Sequence, residues 1–333
     1  MLILGLLACT VAPVMAAGSP QPDFGPNVLV FNPSMAAAAM QERIDKVYAT
    51  QQNNQFGPAR NAFLFAPGDY TLDIPMGYYT QVLGLGASPD NVHITGNVHS
   101  DATLPRNNAT CTFWKSAEGF SVTPTGGTMK WAVSQAVPFR RMHIRGDIVL
   151  HQEGGWASGG WMSDDLIDGN VGAGPQQQWI SRNTEWGSWT GANWNMVFVG
   201  VVNPPAGEWP KPSYTKIAQV PVVREKPFLE VDPSGKYTVR VPALRANSSG
   251  ITWRAGSTPG KSIPLSEFYV ARPDRDTAAT INAQLAKGKN LLFTPGIYEL
   301  TAKLGMAGAW TVEVSASRPQ GGATSAKFAL EAK

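Results

Sequence analysis

The chain has 333 residues and a net charge of +3, with 43% apolar and only 15% charged residues. Its 34 Gly and 26 Pro indicate frequent turns and exclude a coiled coil or a helical bundle. The absence of any Lys/Arg run argues against a nucleic-acid groove, and two Cys exclude a disulfide scaffold. This composition is typical of a large all-β protein.

The chain begins with an apolar stretch that predicts export. Residues 1–17 read MLILGLLACTVAPVMAA and precede a segment rich in Gly, Ser and Pro. This pattern is typical of a secretory signal peptide cut near Ala16 or Ala17, although a basic start is absent. Because the segment is too short to span a bilayer, we predict a secreted protein with no membrane span.

Residues 18–80 predict a cap. A strand-like NVLVF at 27–31 is followed by a helix-like stretch, Met35–Thr50, with apolar residues at helical spacing, and then by FLFAPGDY at 63–70. A helix of this kind can cover the open end of a stack of strands, where unpaired backbone groups need shielding. We therefore expect Met35–Thr50 to close one end of the fold.

Residues 81–223 contain a short repeat. Alternation places Ile94, Ile144 and Ile167 on one face of short strands, and the Gly and Asn or Asp that follow predict a positive-φ corner. Units this short cannot bury their apolar faces alone, so they must stack as the rungs of a parallel β-helix. The repeated strings are HITGNV at 93–98, HIRGDI at 143–148 and LIDGNV at 166–171.

The remaining segments divide into three. Residues 224–266 predict a β-rich insertion. Residues 267–300 repeat the order of the cap, with FYV at 268–270, a helix-like Thr277–Ala286 and LLFTPGIY at 291–298. Residues 301–333 resemble the last hairpin of a small immunoglobulin-like domain, which predicts a fused or truncated end.

Several motifs resemble those of a known family. The resemblance is to secreted right-handed parallel β-helix proteins of actinobacteria and fungi, often labelled as coagulation factor 5/8 type (discoidin) domain proteins. It rests on GLGASP at 84–89, QQQW at 176–179, WNMVF at 194–198, REKPFL at 224–229 and NSSGITW at 247–253.

A more distant likeness, in the PGxY cap and in YYTQ at 78–81, is to twin-β-helix exo-β-1,3-glucanases and pectin-degrading enzymes. Together the two likenesses imply a right-handed, pectin-lyase-like parallel β-helix that acts on polysaccharide. Relatives resume their rungs after the second PGxY, whereas this chain does not, which implies that a second β-helix is missing.

Residues 153–195 hold the candidate catalytic carboxylates. Glycosidases need two carboxylates about 5–5.5 Å or about 6.5–9.5 Å apart, and rungs about 4.8 Å apart can provide either spacing. We predict that Asp165 or Asp168 pairs with Glu185 for catalysis, and that Asp164 forms a surface ion pair with Arg182. Both predictions use an alignment of 161–165 with 179–183 that sets Asp164 over Arg182, Asp165 over Asn183 and Ile167 over Glu185.

The same region is rich in tryptophan. Six of the eleven Trp lie between residues 156 and 194, and indole faces stack well on the C–H faces of sugars. We predict that Trp186, Trp189 and Trp194 bind substrate, with at least one of them on the surface. The alternative is that these rings fill the interior of the β-helix or lie on a face where two copies of it pair.

Three interpretations of function remain open: an enzyme, a binding module and an inactive fragment. The favoured one is an exported glycoside hydrolase that degrades a polysaccharide; the others are a non-catalytic glycan-binding or cell-surface module, and an inactive fragment of a twin-β-helix enzyme. No sequence motif predicts a metal or other cofactor, and we expect a glycan partner rather than nucleic acid. The sugar, its linkage, hydrolysis as opposed to elimination, and the oligomeric state stay open.

Overall fold

The computed structural model describes residues 21–303, 309–317 and 323–331, with side chains up to residue 298. The predicted signal peptide, residues 1–17, lies outside the described residues. The described part has two α-helices, α1 (Ala37–Gln51) and α2 (Ala278–Ala286). Its strands, in chain order, are β1 Val28–Phe31, β2 Asn61–Phe65, β3 Gly68–Pro75, β4 Thr80–Gly84, β5 Val92–His99, β6 Ser116–Glu118, β7 Ser121–Pro124, β8 Thr128–Lys130, β9 Pro138–Arg140, β10 His143–Ile144, β11 Asp147–Val149, β12 Trp161–Ser163, β13 Leu166–Gly172, β14 Gln178–Arg182, β15 Glu185–Thr190, β16 Asn195–Val199, β17 Tyr214–Ile217, β18 Val220–Val223, β19 Phe228–Val231, β20 Tyr237–Pro242, β21 Arg245–Ser248, β22 Gly260–Pro264, β23 Phe268–Ala271, β24 Asn290–Phe293, β25 Glu299–Lys303, β26 Ala309–Ser317 and β27 Ala323–Glu331.

Two parallel sheets form a β-helix, which confirms the predicted fold class. One sheet has nine strands in the order β1-β2-β4-β6-β9-β12-β14-β16-β17, and the other has eight, β3, β5, β7, β8, β10, β11, β13 and β15. From β2 to β15 the chain alternates between the two sheets as it climbs, so each of these rungs contributes to both; β1, β16 and β17 add strands to the nine-stranded sheet alone. Such an alternation leaves one face of every strand inside the stack and the other outside.

The interior is built from columns of apolar residues. In the eight-stranded sheet Ile94 pairs with Val122, Val122 with Ile144, and Ile144 with Ile167, all fully buried. In the nine-stranded sheet Phe139 and Met162 form part of a similar buried column. The predicted inward stacking of the three isoleucines is therefore confirmed.

The repeated glycines serve a different purpose from the one predicted. Only Gly96 has a positive φ, 136°, and β5 and β13 both continue through their glycines. A Cβ on Gly146 would come within 2.5 Å of the Gly127 carbonyl oxygen, and one on Gly169 within 2.1 Å of an Asp147 carboxylate oxygen. The prediction of positive-φ corners is wrong for Gly146 and Gly169, because these positions need glycine for close packing between rungs.

Helix α1 covers the first rung, as its apolar spacing predicts. Met40 and Ile44 are buried and belong to the same apolar core as Phe31 and Phe63. The observed helix agrees with the predicted stretch, Met35–Thr50, to within two residues at either end. Neither described helix is long and apolar enough to cross a membrane.

The later segments pack against the outside of the nine-stranded sheet. Strands β19, β20 and β22 form an antiparallel sheet within the predicted insertion, while β23 and β24 pair in parallel and flank α2. Val30 and Leu64 on the outer face of β1 and β2 form a second apolar cluster with Leu229, Phe268 and Leu292. Strands β25, β26 and β27 pair antiparallel in the segment predicted to be a hairpin.

Candidate functional site

The register of the rungs differs by one residue from the predicted alignment. Ser163 pairs with Arg182, and Leu166 pairs with Glu185, so Ile167 pairs with Trp186. Because side chains alternate across a strand, a shift of one residue moves every side chain to the opposite face. This shift decides where the predicted catalytic and binding residues lie.

Trp186 and Trp189 lie inside the β-helix. Their rings are 5.1 Å apart between centroids and pack on Phe198, at the end of the inward columns. Their indole N–H groups donate to the carbonyls of Asn203 and Gly191, both at 2.8 Å, so they need no ligand. The prediction that these two rings bind substrate is wrong, because the register turns them inward.

Trp194 is the exposed member of the predicted trio, with 61% of its surface accessible. It immediately precedes β16, whose first residue, Asn195, lines a groove on the outer face of the nine-stranded sheet. The expectation that at least one of the three rings lies on the surface is therefore confirmed.

Asp165 is fully buried at the corner between β12 and β13. One carboxylate oxygen accepts the Met142 N–H at 2.8 Å, while the other has no partner in the described structure. Burial raises the pKa of Asp165 well above its usual range, and the nearby Asp164 adds to the increase. The Asp165 carboxyl therefore stabilises the backbone of the neighbouring rung at Met142. Because it is fully buried, it cannot contact a polymer outside the β-helix, and the prediction that it is catalytic is wrong.

Asp168 lies outside, on the eight-stranded sheet. Its carboxylate is 3.1 Å from Nε2 of His143, and the opposite ring nitrogen of His143 is 2.6 Å from Asp90. The Asp168 side chain is 53% exposed, so a ligand can reach it.

Glu185 stands in the same outward column as His143 and Leu166. It forms an ion pair with Arg254 and accepts the Ile251 N–H at 3.1 Å, which leaves its side chain only 13% exposed. Glu185 therefore fastens the insertion to the β-helix. Whether it also pairs with Asp168 in catalysis stays a prediction.

The insertion is held by a second set of buried polar contacts. Arg182 donates from two nitrogens to both oxygens of Glu225, each at 2.6 Å. Asp164 accepts the Thr252 hydroxyl at 2.7 Å, and its backbone carbonyl accepts the Trp253 indole N–H at 2.9 Å. The predicted Asp164–Arg182 surface ion pair is wrong, since both side chains contact the insertion instead.

In this buried environment Asp164 is a weaker acid than an ordinary aspartate. Its pKa is raised to about 7, chiefly by burial and in addition by the charge of Glu225, while the hydrogen bonds from Thr252 and the charge of Arg141 oppose the increase. The carboxyl is thus a proton-binding group at the junction of the β-helix and its insertion.

A groove of about 530 Å³ crosses the outer face of the nine-stranded sheet. The ring of Trp161 forms part of it, with the guanidinium carbons of Arg140 and Arg182 at 5.7 and 5.4 Å from the ring centroid. Amide side chains supply hydrogen-bonding groups along its length. The lining residues are Gln135, Ala136, Val137, Pro138, Arg140, Gly159, Gly160, Trp161, Gln178, Trp179, Ile180, Asn195 and Val197.

Two glycines make room for the groove. A Cβ on Gly160 would come within 2.1 Å of the Trp179 ring, and Gly159 has a positive φ of 123°. A larger residue at Gly160 would push the Trp179 ring out of the core. The groove thus depends on a Gly-Gly corner that connects two rungs.

Sequence reasoning missed this groove, although its signals were present. Trp161 lies in the Trp-rich segment, and Gln178 belongs to the QQQW motif. Neither signal says which side chains face outward, because that requires the register. The lining contains no Asp or Glu, and the described residues include no group of three side chains suited to a metal ion.

Fold and groove together define a parallel β-helix protein with an aromatic, amide-lined surface groove. No family model matches the chain, so the discoidin-type family label stays a prediction. The chain is 48% identical over 280 residues to an exo-β-1,3-glucanase from Streptomyces sp. SirexAA-E, and the alignment covers 84% of this chain and 46% of that protein.

Solved structures give the same picture. The structure of sacteLam55A from the same Streptomyces matches with a TM-score of 0.80 and 47% identity, over 84% of this chain and 50% of that chain. A variant of that protein in complex with glucose matches with a TM-score of 0.77 and 46% identity, with the same coverage. The chain thus spans about half the length of the relatives that it matches.

Proposed function

We propose that this protein is a secreted glycoside hydrolase that acts on β-1,3-glucan, and that the groove on its nine-stranded sheet binds the glucan chain. The observation that carries the proposal is the 48% identity to an exo-β-1,3-glucanase over 280 residues, which include every rung that builds the groove. Export rests on the apolar residues 1–17.

The groove has the chemistry that a neutral sugar requires. Trp161 offers an aromatic face for the C–H side of a glucosyl ring. Gln178 and Asn195 offer amide donors and acceptors for hydroxyl groups, and Arg140 adds a fixed donor fork. These side chains project from neighbouring parallel strands, so their spacing is set by the sheet and costs little to organise on binding.

Hydrolysis places a further demand on the site. Two carboxylates must flank the scissile bond, and none lines the groove. In this proposal the groove is therefore the binding wall, and the catalytic carboxylates reach the substrate from outside its lining. Asp168 and Glu185, the pair predicted from the sequence, lie on strands of the eight-stranded sheet, so a glucan that they cleave must extend from the groove onto that sheet.

A non-catalytic glycan-binding module is the second candidate, and the lack of a carboxylate in the groove favours it. The two functions differ in one measurement. A hydrolase releases reducing sugar from a soluble β-1,3-glucan, whereas a binding module only retains it.

The test uses the full chain and three variants. We expect Trp161→Ala to weaken glucan binding at least tenfold, while Trp209→Ala, which removes an exposed ring (59%) outside the groove, leaves it unchanged. Glu185→Gln should abolish release of reducing sugar and keep binding, because the amide retains shape and loses charge. If the parent binds glucan but releases no reducing sugar, the protein is a glycan-binding module and not a hydrolase. If the parent neither binds glucan nor releases reducing sugar, both functions are refuted.

A further inference from the structure

A second concavity lies between two loops that project from the β-helix. It encloses about 390 Å³, and we call it the loop pocket. Its most prominent side chain is Trp156, 64% of which is exposed. The lining residues are Pro105, Arg106, Asn108, Glu153, Gly154, Gly155 and Trp156.

The two loops are tied together by a continuous set of hydrogen bonds. The Asn107 amide donates to Glu153 at 2.8 Å and accepts from the Gln152 amide at 3.0 Å. Gln152 in turn accepts the Ala102 N–H at 3.0 Å, and the Trp156 carbonyl accepts the Ala109 N–H at 2.7 Å. The pocket is therefore held in shape before any ligand arrives.

Backbone geometry supports the same conclusion. Arg106, Asn107 and Glu153 have φ values of 60°, 55° and 45°, in the left-handed region that non-glycine residues rarely adopt. A Cβ on Gly155 would come within 1.9 Å of the Asn107 carbonyl oxygen, so only glycine permits this approach. Strained residues of this kind cluster at ligand sites, where the surrounding structure maintains them.

The chemistry of the pocket suits a sugar. An exposed indole face provides stacking, and it is bordered by a cation at Arg106, a carboxylate at Glu153 and an amide at Asn108. These groups donate to and accept from hydroxyls in different directions, as a polyhydroxylated ring requires. A purely anionic or purely cationic ligand would meet a like charge on one side.

The loop pocket lies close to the groove. Trp156 is three residues before Gly159, which lines the groove, and three residues span at most about 11 Å. An oligosaccharide is long enough to bridge this distance.

We propose that the loop pocket is a second sugar-binding site, which holds a more distant part of the same glucan chain that occupies the groove. This inference rests on the proposed function. Two linked sites on one polymer raise its apparent affinity, because the second contact forms at high effective concentration. A short ligand that fills only the groove gains nothing from it.

The test compares two probes, a soluble β-1,3-glucan and a β-1,3-linked disaccharide. We expect Trp156→Ala to weaken polymer binding about fivefold to tenfold and to leave disaccharide binding unchanged. Trp156→Phe should restore most of the loss because it keeps an aromatic face. Trp209→Ala is the matched control, since it removes another exposed ring that lies outside both sites.

The outcomes separate this inference from the proposed function. If the parent binds both probes and Trp156→Ala binds the polymer as tightly as Trp209→Ala does, the loop pocket is not a sugar site. The proposal that the groove binds glucan is then unaffected. If Trp156→Ala weakens both probes equally, the pocket acts through the groove and is no separate site. If the parent binds neither probe, the proposed function fails and this inference fails with it.

Discussion

Replacing Asp164 by Asn should change how stability depends on pH. The pKa of Asp164 is raised from 3.8 to about 7, mainly by burial, so the folded protein binds a proton between pH 4 and 7 that the unfolded chain has lost. The free energy of unfolding therefore falls as the pH rises through this window. A shift of about three units corresponds to about 4 kcal/mol, lost in full above pH 7.

The amide introduced by Asp164→Asn should retain the contacts that the neutral acid makes. Its carbonyl oxygen can accept from Thr252, and the hydroxyl of Thr252 can turn to accept from the amide. The bond from Trp253 goes to the backbone carbonyl of residue 164 and is unaffected. We therefore expect Asp164→Asn to resemble the parent at pH 4 and to be more stable by about 4 kcal/mol at pH 8.

Urea unfolding followed by tryptophan fluorescence at pH 4, 5, 6, 7 and 8 measures this difference. Glu208→Gln is a suitable control, because it also removes one negative charge but from a side chain that is 80% exposed. A difference between Asp164→Asn and the parent that stays constant across these pH values would refute the reasoning. It would mean that Asp164 keeps its charge through the hydrogen bonds from Thr252 and the charge of Arg141.

Three further changes test the interior, a buried cation and the loop pocket. Ile144→Asp puts an unpaired charge in a fully buried column and should cost about 4 kcal/mol or more, against about 1 kcal/mol for Ile144→Val; equal melting temperatures would contradict this. Burial lowers the pKa of Lys115 to about 7, so the unfolded chain binds the extra proton between pH 7 and 10 and the parent gains stability as the pH rises. Lys115→Met should remove about 3 kcal/mol of that gain between pH 7 and 9.5, and an unchanged slope in urea unfolding would argue against it. Gly155→Ala should separate the two loops and speed hydrogen exchange at the Ala109 amide without lowering exchange protection in β13; unaltered exchange at Ala109 would show that the loops tolerate a Cβ.

Local sequence patterns were sufficient for the architecture. Alternation around Ile94, Ile144 and Ile167 predicted inward columns, because a short strand can bury only one face and must stack to do so. Helical spacing in Met35–Thr50 predicted the cap, since Met40 and Ile44 recur on one side of a helix. These features depend on residues close in the chain, and local periodicity determines them.

Tertiary structure decided the site. A register shift of one residue turned Trp186 and Trp189 into the core, and it left Trp161 facing outward in the groove. Contacts with the insertion, more than 60 residues further along the chain, engaged Asp164 and Glu185. Which face a side chain occupies, and what covers it, depends on pairing between distant rungs, and no local pattern in the sequence specifies that pairing to a single residue.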